Sequence, residues 1–323
     1  MKRAQNILIA GFGDIGQRVA RRLRRSRHYR VMALSRNYSD FSTRGKFVRS
    51  IGVEPVRGDL RNLRSLQKLT GLADTILHFA PPPSAGKSDI HTKYLLAALS
   101  EDQRPGHRGS NPLPSARPRM LPRRIVYIST TGVYGNCNGE WIDETRQAKP
   151  ESSRAKRRVD AERRLQKWGR LHGVSITILR APGIYAEDRL PLERLKRQTP
   201  VLIPADDVFT NHIHADDLAA AVINAMRQSW PKQYRIFNVV DDSQLRMGDY
   251  FDQVADAFGV KRPPRIGRVQ AEGLISPMLL SFMRESRRIG NARVKRELKV
   301  VLKYPTLASV LSGLHPPVQA LPD

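Results

Sequence analysis

The chain has 323 residues, 40% of them hydrophobic, which supplies enough apolar matter for a sizeable core and excludes disorder throughout. Its single cysteine, Cys137, excludes an intramolecular disulfide framework and has no companions for a zinc site, so a reducing, cytoplasmic setting is expected. The formal charge of +26 would draw polyanions, but the arginines are scattered over helix faces, as at Arg18, Arg21, Arg22, Arg24 and Arg25, so a solvated basic surface is favoured over nucleic-acid binding.

From the N-terminus, Met1-Lys2-Arg3 before Ile7-Leu8-Ile9-Ala10 is too short an apolar run for a signal peptide and reads as a strand. No stretch approaches the roughly 18 uninterrupted apolar residues of a membrane span. Apolar, β-rich runs near 6–11, 30–35, 53–57, 74–79, 124–129 and 175–180 alternate with helical patterns near 15–26, 62–70, 88–100 and 154–172. This alternation is the signature of βαβ units and a parallel sheet. Residues 101–122, rich in Pro, Gly and Arg, lack apolar periodicity and read as a flexible insertion. Beyond 182 the elements shorten: a helix at 216–227, a strand at 234–240, a helix at 247–258 and a dense apolar helix over 268–288 carrying Leu274, Ile275, Met278 and Met283. Core packing is the plainer role for that last helix, and a wall of a substrate site the alternative. The expected architecture is a Rossmann-like, doubly wound α/β fold. Residues 1–182 form its dinucleotide-binding domain, and 183–323 a smaller C-terminal substrate portion interleaved with the first.

The first apolar run ends in Gly11-Phe12-Gly13-Asp14-Ile15-Gly16 and opens a helix, the context a dinucleotide-binding turn requires. Gly11 permits the tight turn, Gly13 lets the backbone approach a pyrophosphate, and Gly16 lets helix and strand pack closely. The second strand ends in Ser35-Arg36 rather than in a carboxylate. A hydroxyl and a guanidinium suit a 2′-phosphate, so NADP is favoured over NAD, with Asp40 able to swing in from the loop or simply form a turn. In Gly58-Asp59-Leu60, Asp59 reaches the adenine or caps a helix.

His212-Ile213-His214 beside Asp216-Asp217 carries metal-ligand chemistry, but the aspartates suit a helix N-terminus better, and no metal site is expected. The basic run Arg189 to Arg197 either lines an anionic substrate's diphosphate or forms a solvated helix.

With these segments stand Ser129-Thr130-Thr131-Gly132-Val133-Tyr134-Gly135, Arg180-Ala181-Pro182-Gly183-Ile184-Tyr185, His214-Ala215-Asp216-Asp217-Leu218 and Phe237-Asn238-Val239-Val240-Asp241-Asp242. Together they resemble the extended and atypical short-chain dehydrogenase/reductase superfamily, specifically its NAD-dependent epimerase/dehydratase family of nucleoside-diphosphate-sugar epimerases. The glycine pattern departs from the extended family's, with Ala10 in its first place and Gly11 added, and looks like the atypical subgroup. The resemblance implies that Thr130 binds the substrate's reacting oxygen and that Ala80, Pro81, Pro182 and Gly183 join the glycine turn, Ser35, Arg36, Asp59 and Leu60 around the cofactor. It also places the family's tyrosine acid/base and its lysine partner at Arg154 and Arg158. A guanidinium, with a pKa above about 12, cannot shuttle protons near neutrality. Arg158 keeps a ribose- or phosphate-binding role, and Tyr134 or Tyr185 is left to supply a phenol. Two functions follow: an oxidoreductase or epimerase acting on a nucleotide-sugar-like substrate, or a non-catalytic NADP-binding sensor or regulator. A homodimer is left open.

Overall fold

Ile7, Leu8 and Ile9 have no solvent exposure, and a strand apolar on both faces belongs inside a sheet that helices cover on each side. The computed structural model, which describes residues 4–36, 43–100, 121–228 and 233–314, places that run in β1 (Gln5–Ala10). The chain continues through α1 (Asp14–Leu23), β2 (Tyr29–Ser35), α2 (Thr43–Ser50), β3 (Glu54–Arg57), β4 (Thr75–His78), α3 (Ile90–Ser100), β5 (Arg124–Thr130), β6 (Trp141–Ile142) and α4 (Ser153–His172). It then runs through β7 (Ser175–Ala181), β8 (Gly183–Tyr185), α5 (Leu192–Lys196), β9 (Val201–Leu202), β10 (His212–His214), α6 (Ala215–Arg227) and β11 (Tyr234–Asn238). Last come α7 (Met247–Ala257), β12 (Arg265–Ile266), α8 (Arg268–Leu274), α9 (Pro277–Phe282), β13 (Arg288–Ile289), α10 (Ala292–Leu298) and α11 (Leu307–Leu311).

Seven strands form one sheet in the order β11-β7-β5-β4-β1-β2-β3. The pairings of β1 with β2 and β4, of β2 with β3 and of β4 with β5 are parallel. Ala10 stands level with Leu34 on one side and His78 on the other, so the carboxyl ends of β1, β2 and β4 finish together. Between β1 and β4 the winding reverses, and such a switch point is where open α/β sheets place their ligands. The doubly wound α/β architecture expected from the sequence is therefore present.

The chain divides into two units, residues 1–130, 153–180 and 219–237 in one and 131–152, 181–218 and 238–323 in the other. In the first, the sheet residues Leu8, Met32, Ile125 and Ile178 pack with Leu95 and Leu99 of α3 and Leu165 and Trp168 of α4. Each fully buried aliphatic contributes on the order of 1.5–3 kcal/mol. In the second, α7 is the hub: Tyr250, Phe251 and Val254 pack with Tyr185, Leu195, Val201, Met283 and Leu307. Three short parallel pairs, β8 with β10, β9 with β12 and β6 with β13, tie its loops.

Two of the expected elements take another form, and α2 is additional to the expected helices. The helix expected over 62–70 is a 3₁₀ helix, Leu63–Leu69. There the Ser65 hydroxyl accepts from the Asp59 N–H and donates to the Asn62 carbonyl, competing with α-helical bonding. The apolar helix expected over 268–288 breaks into α8 and α9, because Pro277 lacks an N–H and holds Ser276 extended (φ −57°, ψ 145°). Nor is that stretch uniformly core: Ile275 and Met283 are buried, but Leu274 and Met278 are each 70% exposed. Residues 101–120 of the expected insertion, like Asp40, lie outside the described residues, while Leu121 packs against the first core. Among the described residues no helix is long and apolar enough to cross a membrane.

Candidate functional site

The glycine turn joins β1 to α1 in the first unit. Gly11 adopts φ +104°, and a Cβ there would stand 2.3 Å from the Ala80 backbone nitrogen. The amides of Phe79 and Ala80 both donate to the Ala10 carbonyl, at 2.7 and 2.9 Å, which folds the chain after β4 against the turn. Gly16 is equally tight, since its Cβ would lie 2.8 Å from the Gly11 carbonyl oxygen. Gly13 is the opposite case: it is exposed, and beyond its own chain neighbours no atom of the described residues lies within 4 Å of a Cβ. It also occupies the N-cap of α1, which no side chain caps. The first-turn amides and the positive end of the helix thus meet open space, which fits a pyrophosphate. Ile15 is buried under the turn, while Asp14 turns its carboxylate to Arg18 at 2.9 Å.

Ser35 closes β2, its carbonyl accepting from Gly58. Beyond it, exposed Arg36 lines an open cleft of about 860 Å³ together with Arg57, Asp59, Arg61, Arg64 and Lys68. Burial pushes the Asp59 carboxyl up, but the hydrogen bonds and charge of Arg61, with the charge of Arg36, outweigh it and hold the group below its ordinary value. Among the described lining residues one carboxylate stands against five cations, a net positive set. Leu60 packs against the first core, and Pro81 is exposed, its carbonyl bonded to His91.

Farther along the strand ends, the structure assembles a buried polar chain that the sequence reading missed. His78 contacts Thr92 Oγ1 through Nε2 at 2.8 Å, and the Thr92 hydroxyl donates to the buried Asp89 carboxylate, also at 2.8 Å. Burial pushes the His78 ring down to about 4, with the Asp89 charge opposing, so the imidazole is neutral. Its ring lies 5.0 Å from that of Tyr127, whose phenol accepts from Arg158 at 3.0 Å. Arg158 also donates to the Ile128 carbonyl at 2.7 Å. Arg154, one turn earlier on α4, is exposed. Arg157 is buried and donates to the carbonyls of Ser84 and Gly86, fixing the loop after β4. Behind the site, Arg180 forks onto Glu162, which also accepts from Ser129. Thr130, the last residue of β5, is half-buried.

In the second unit the tyrosines are engaged. Tyr134 is buried and donates to Asn238 Oδ1 at 2.7 Å. Tyr185 donates to Asp241 at 3.1 Å, and burial, reinforced by the Asp241 charge, raises its phenol above the ordinary value. Burial likewise pushes the Asp241 carboxyl up to about 7. Pro182 is half-buried beside exposed Gly183, where a Cβ would meet the His212 ring at 2.9 Å. The His212 ring stacks on Tyr250 at 4.0 Å, and His214 lies 3.4 Å from the Glu187 carboxylate. Asp217 accepts from the amides of Lys303 and Tyr304, a loop-pinning use of a carboxylate. Among the described residues no group of three or more His, Cys, Asp or Glu side chains is arranged to hold a metal ion. Cys137 is buried, and burial raises its thiol.

Comparison with known proteins places these features in context. The pattern of the NAD dependent epimerase/dehydratase family matches residues 7–239. A dTDP-glucose 4,6-dehydratase of Streptomyces antibioticus is 24% identical over 214 residues, 64% of this chain and 61% of that protein. One of Streptomyces niveus is 26% identical over 137 residues, 42% of this chain and 38% of that protein. The chain thus spans less than two thirds of the length of either dehydratase. The structure of a functionally unknown conserved protein from Silicibacter pomeroyi DSS superposes with a TM-score of 0.73 at 27% identity, covering 96% of this chain and 97% of that one.

Proposed function

This chain belongs to the NAD dependent epimerase/dehydratase family, and from that premise we propose that it holds a nicotinamide dinucleotide on the Gly11–Gly16 turn and acts on a nucleotide-sugar substrate. The observation that carries this reading is the turn itself, crowded at Gly11 and Gly16 yet open at Gly13 above an uncapped helix end. Gly11, Gly13, Asp14, Ile15 and Gly16, with Ala80 and Pro81, hold the pyrophosphate region. Ser35, Arg36, Asp59 and Leu60 hold the adenosine end. The positive cleft at Arg36 supports NADP over NAD, since a guanidinium fork suits a phosphate.

When bound, the nicotinamide supplies hydride exchange with the substrate. Thr130 orients the substrate's reacting oxygen, Arg158 holds the nicotinamide ribose, and Pro182 and Gly183 complete the cofactor's surroundings. Tyr134 acts as an acid only by giving up its bond to Asn238. NADPH and NADH titrations followed by turnover assays with dTDP-glucose and UDP-glucose test the reading. Turnover abolished by Thr130→Ala supports it, and a protein that binds neither dinucleotide defeats it.

One observation favours a second reading, a non-catalytic NADP-binding sensor. Arg158 is engaged with Tyr127 and Ile128, while the phenols of Tyr134 and Tyr185 are buried and donated elsewhere. Tight NADPH binding without turnover of any sugar nucleotide selects it.

A further inference from the structure

Half-buried Arg194 on α5 presents a guanidinium that has no counter-ion among the described residues. Its Nε and Nη2 are buried and have no hydrogen-bond partner among the described residues. Those two atoms form the side-on edge of a guanidinium, the fork that matches two oxygens of a carboxylate or phosphate. That edge meets a carboxylate in Arg30 with Glu54 at 2.7 and 2.6 Å, Arg180 with Glu162 at 3.2 and 2.7 Å, and Arg262 with Asp256 at 2.7 Å for both bonds, whereas Arg157 and Arg287 each leave a buried Nε, but not Nη2, without a partner among the described residues.

Among the described residues no Asp or Glu acts on the Arg194 guanidinium, and burial pushes it down to about 10. Its cation lies 4.2 Å from the centre of the Phe251 ring, which orients the group without neutralising it. The neighbouring Tyr250 stacks on His212, whose Nδ1 is likewise buried without a partner among the described residues. Donors buried without an acceptor are costly, and even Arg157, deeper than half-buried Arg194, meets two carbonyls through Nη1 and Nη2.

We propose that the Nε/Nη2 edge of Arg194 receives an oxyanion, a carboxylate or a pair of phosphate oxygens, from a ligand bound in the second unit. Assigning that ligand to the substrate rests on the nucleotide-sugar reading above; capture of an oxyanion does not.

The test is calorimetric titration of UDP-glucuronic acid, UDP-glucose and inorganic pyrophosphate into the full chain at constant ionic strength. Wild type is compared with Arg194→Met, Arg194→Lys and, as a control for general charge loss, Arg197→Met, an exposed position next to α5. A lost fork to a charged partner should weaken binding by roughly tenfold or more in Arg194→Met, with Arg194→Lys intermediate and Arg197→Met little changed. Weakening confined to UDP-glucuronic acid identifies a carboxylate, and weakening of all three a phosphate. Thermal melting without ligand supplies the readout that a structural role would not give: Arg194→Met should melt no lower than wild type, because the substitution removes an unpaired buried charge.

The inference is overturned if wild type binds none of the three, if Arg194→Met and Arg197→Met bind alike, or if Arg194→Met melts lower with unchanged affinity. Pyrophosphate capture that depends on Arg194, in a protein that turns over no sugar nucleotide, leaves the anion site standing and removes the substrate reading alone.

Discussion

Gly11 and Gly13 stand two residues apart in one motif, yet the structure assigns them opposite sensitivities. Replacing Gly11 by Ala forces a side chain into φ +104° and sets a Cβ 2.3 Å from the Ala80 nitrogen and 2.7 Å from the Phe79 carbonyl carbon. Both contacts are backbone, and both residues are tied to the Ala10 carbonyl, so relief requires pulling the post-β4 segment off β1. Left-handed strain of roughly 1–2 kcal/mol and overpacking of roughly 1–3 kcal/mol together give a loss of roughly 2–5 kcal/mol. Gly13 has φ −87° and free space around its Cβ, so Gly13→Val should change stability by no more than about 0.5 kcal/mol. The same valine fills the space that a pyrophosphate would take and should weaken NADPH binding by about tenfold or more. Urea unfolding followed by tryptophan fluorescence reads the first quantity, and NADPH fluorescence titration the second. A Gly13→Val protein that unfolds as early as Gly11→Ala, or binds NADPH like wild type, refutes the reasoning.

Arg36→Glu should weaken NADPH by about tenfold or more while sparing NADH, and equal losses for both dinucleotides in the same titration would contradict the 2′-phosphate role. Glu162→Ala strands Arg180, whose side chain is 5% exposed, and should cost roughly 3–5 kcal/mol by denaturant unfolding; a loss under about 1 kcal/mol would mean the pair is not buried as described. His212 and Asp241 oppose each other in acid. Burial pushes the His212 ring down to about 4 from 6.5, so between those values the unfolded chain takes the proton first and acidification destabilises the fold. Burial pushes Asp241 up to about 7, so the folded chain takes its proton first and acidification over the same window stabilises the fold. Asp241→Asn should therefore make the urea midpoint fall more steeply between pH 6.5 and 4.5 than in wild type, and parallel curves would show that the carboxyl is not raised.

How far the sequence announced this structure depends on whether each signal is local. Ile7 to Ala10 reads as a buried strand because its apolar run needs no partner to be recognised, and the glycine turn reads as a ligand site because strand, turn and helix follow one another directly. His78, Asp89 and Thr92 carried no such signal. Each is unremarkable alone, and their chain of bonds appears only when β4 and the start of α3 fold together. Glu162 could have been found, since it falls three residues after Val159 and three before Leu165 on the apolar stripe of α4, where a carboxylate needs a buried cation. Pro277 also marked its break, but the density of apolar side chains from Leu274 to Met283 outweighed it in a reading by periodicity. Ser65 is harder, because its competition with α-helical bonding depends on where Asp59 lies.

The arginines show why charge counted along a sequence is an incomplete guide to surface. Arg157 at 6% exposure and Arg180 at 4% are interior residues, and the guanidinium of Arg287 is buried against the Gly135 carbonyl. Arg158 donates to Ile128, Arg268 to Met283 and Arg288 to Gly139, each clamping a carbonyl at a loop or strand end. A guanidinium suits that task because its several fixed donors can satisfy carbonyls while the planar group packs on a ring, as Arg288 does over Trp141 at 5.3 Å, whereas an ammonium is a compact, strongly hydrated point charge. Part of the +26 formal charge is therefore engaged inside the fold. Arg194, half-buried, is set apart from these residues because both Nε and Nη2 are buried without a partner among the described residues, where Arg157 and Arg287 leave only Nε so, and that contrast, rather than the total charge, is what the proposed anion capture rests on.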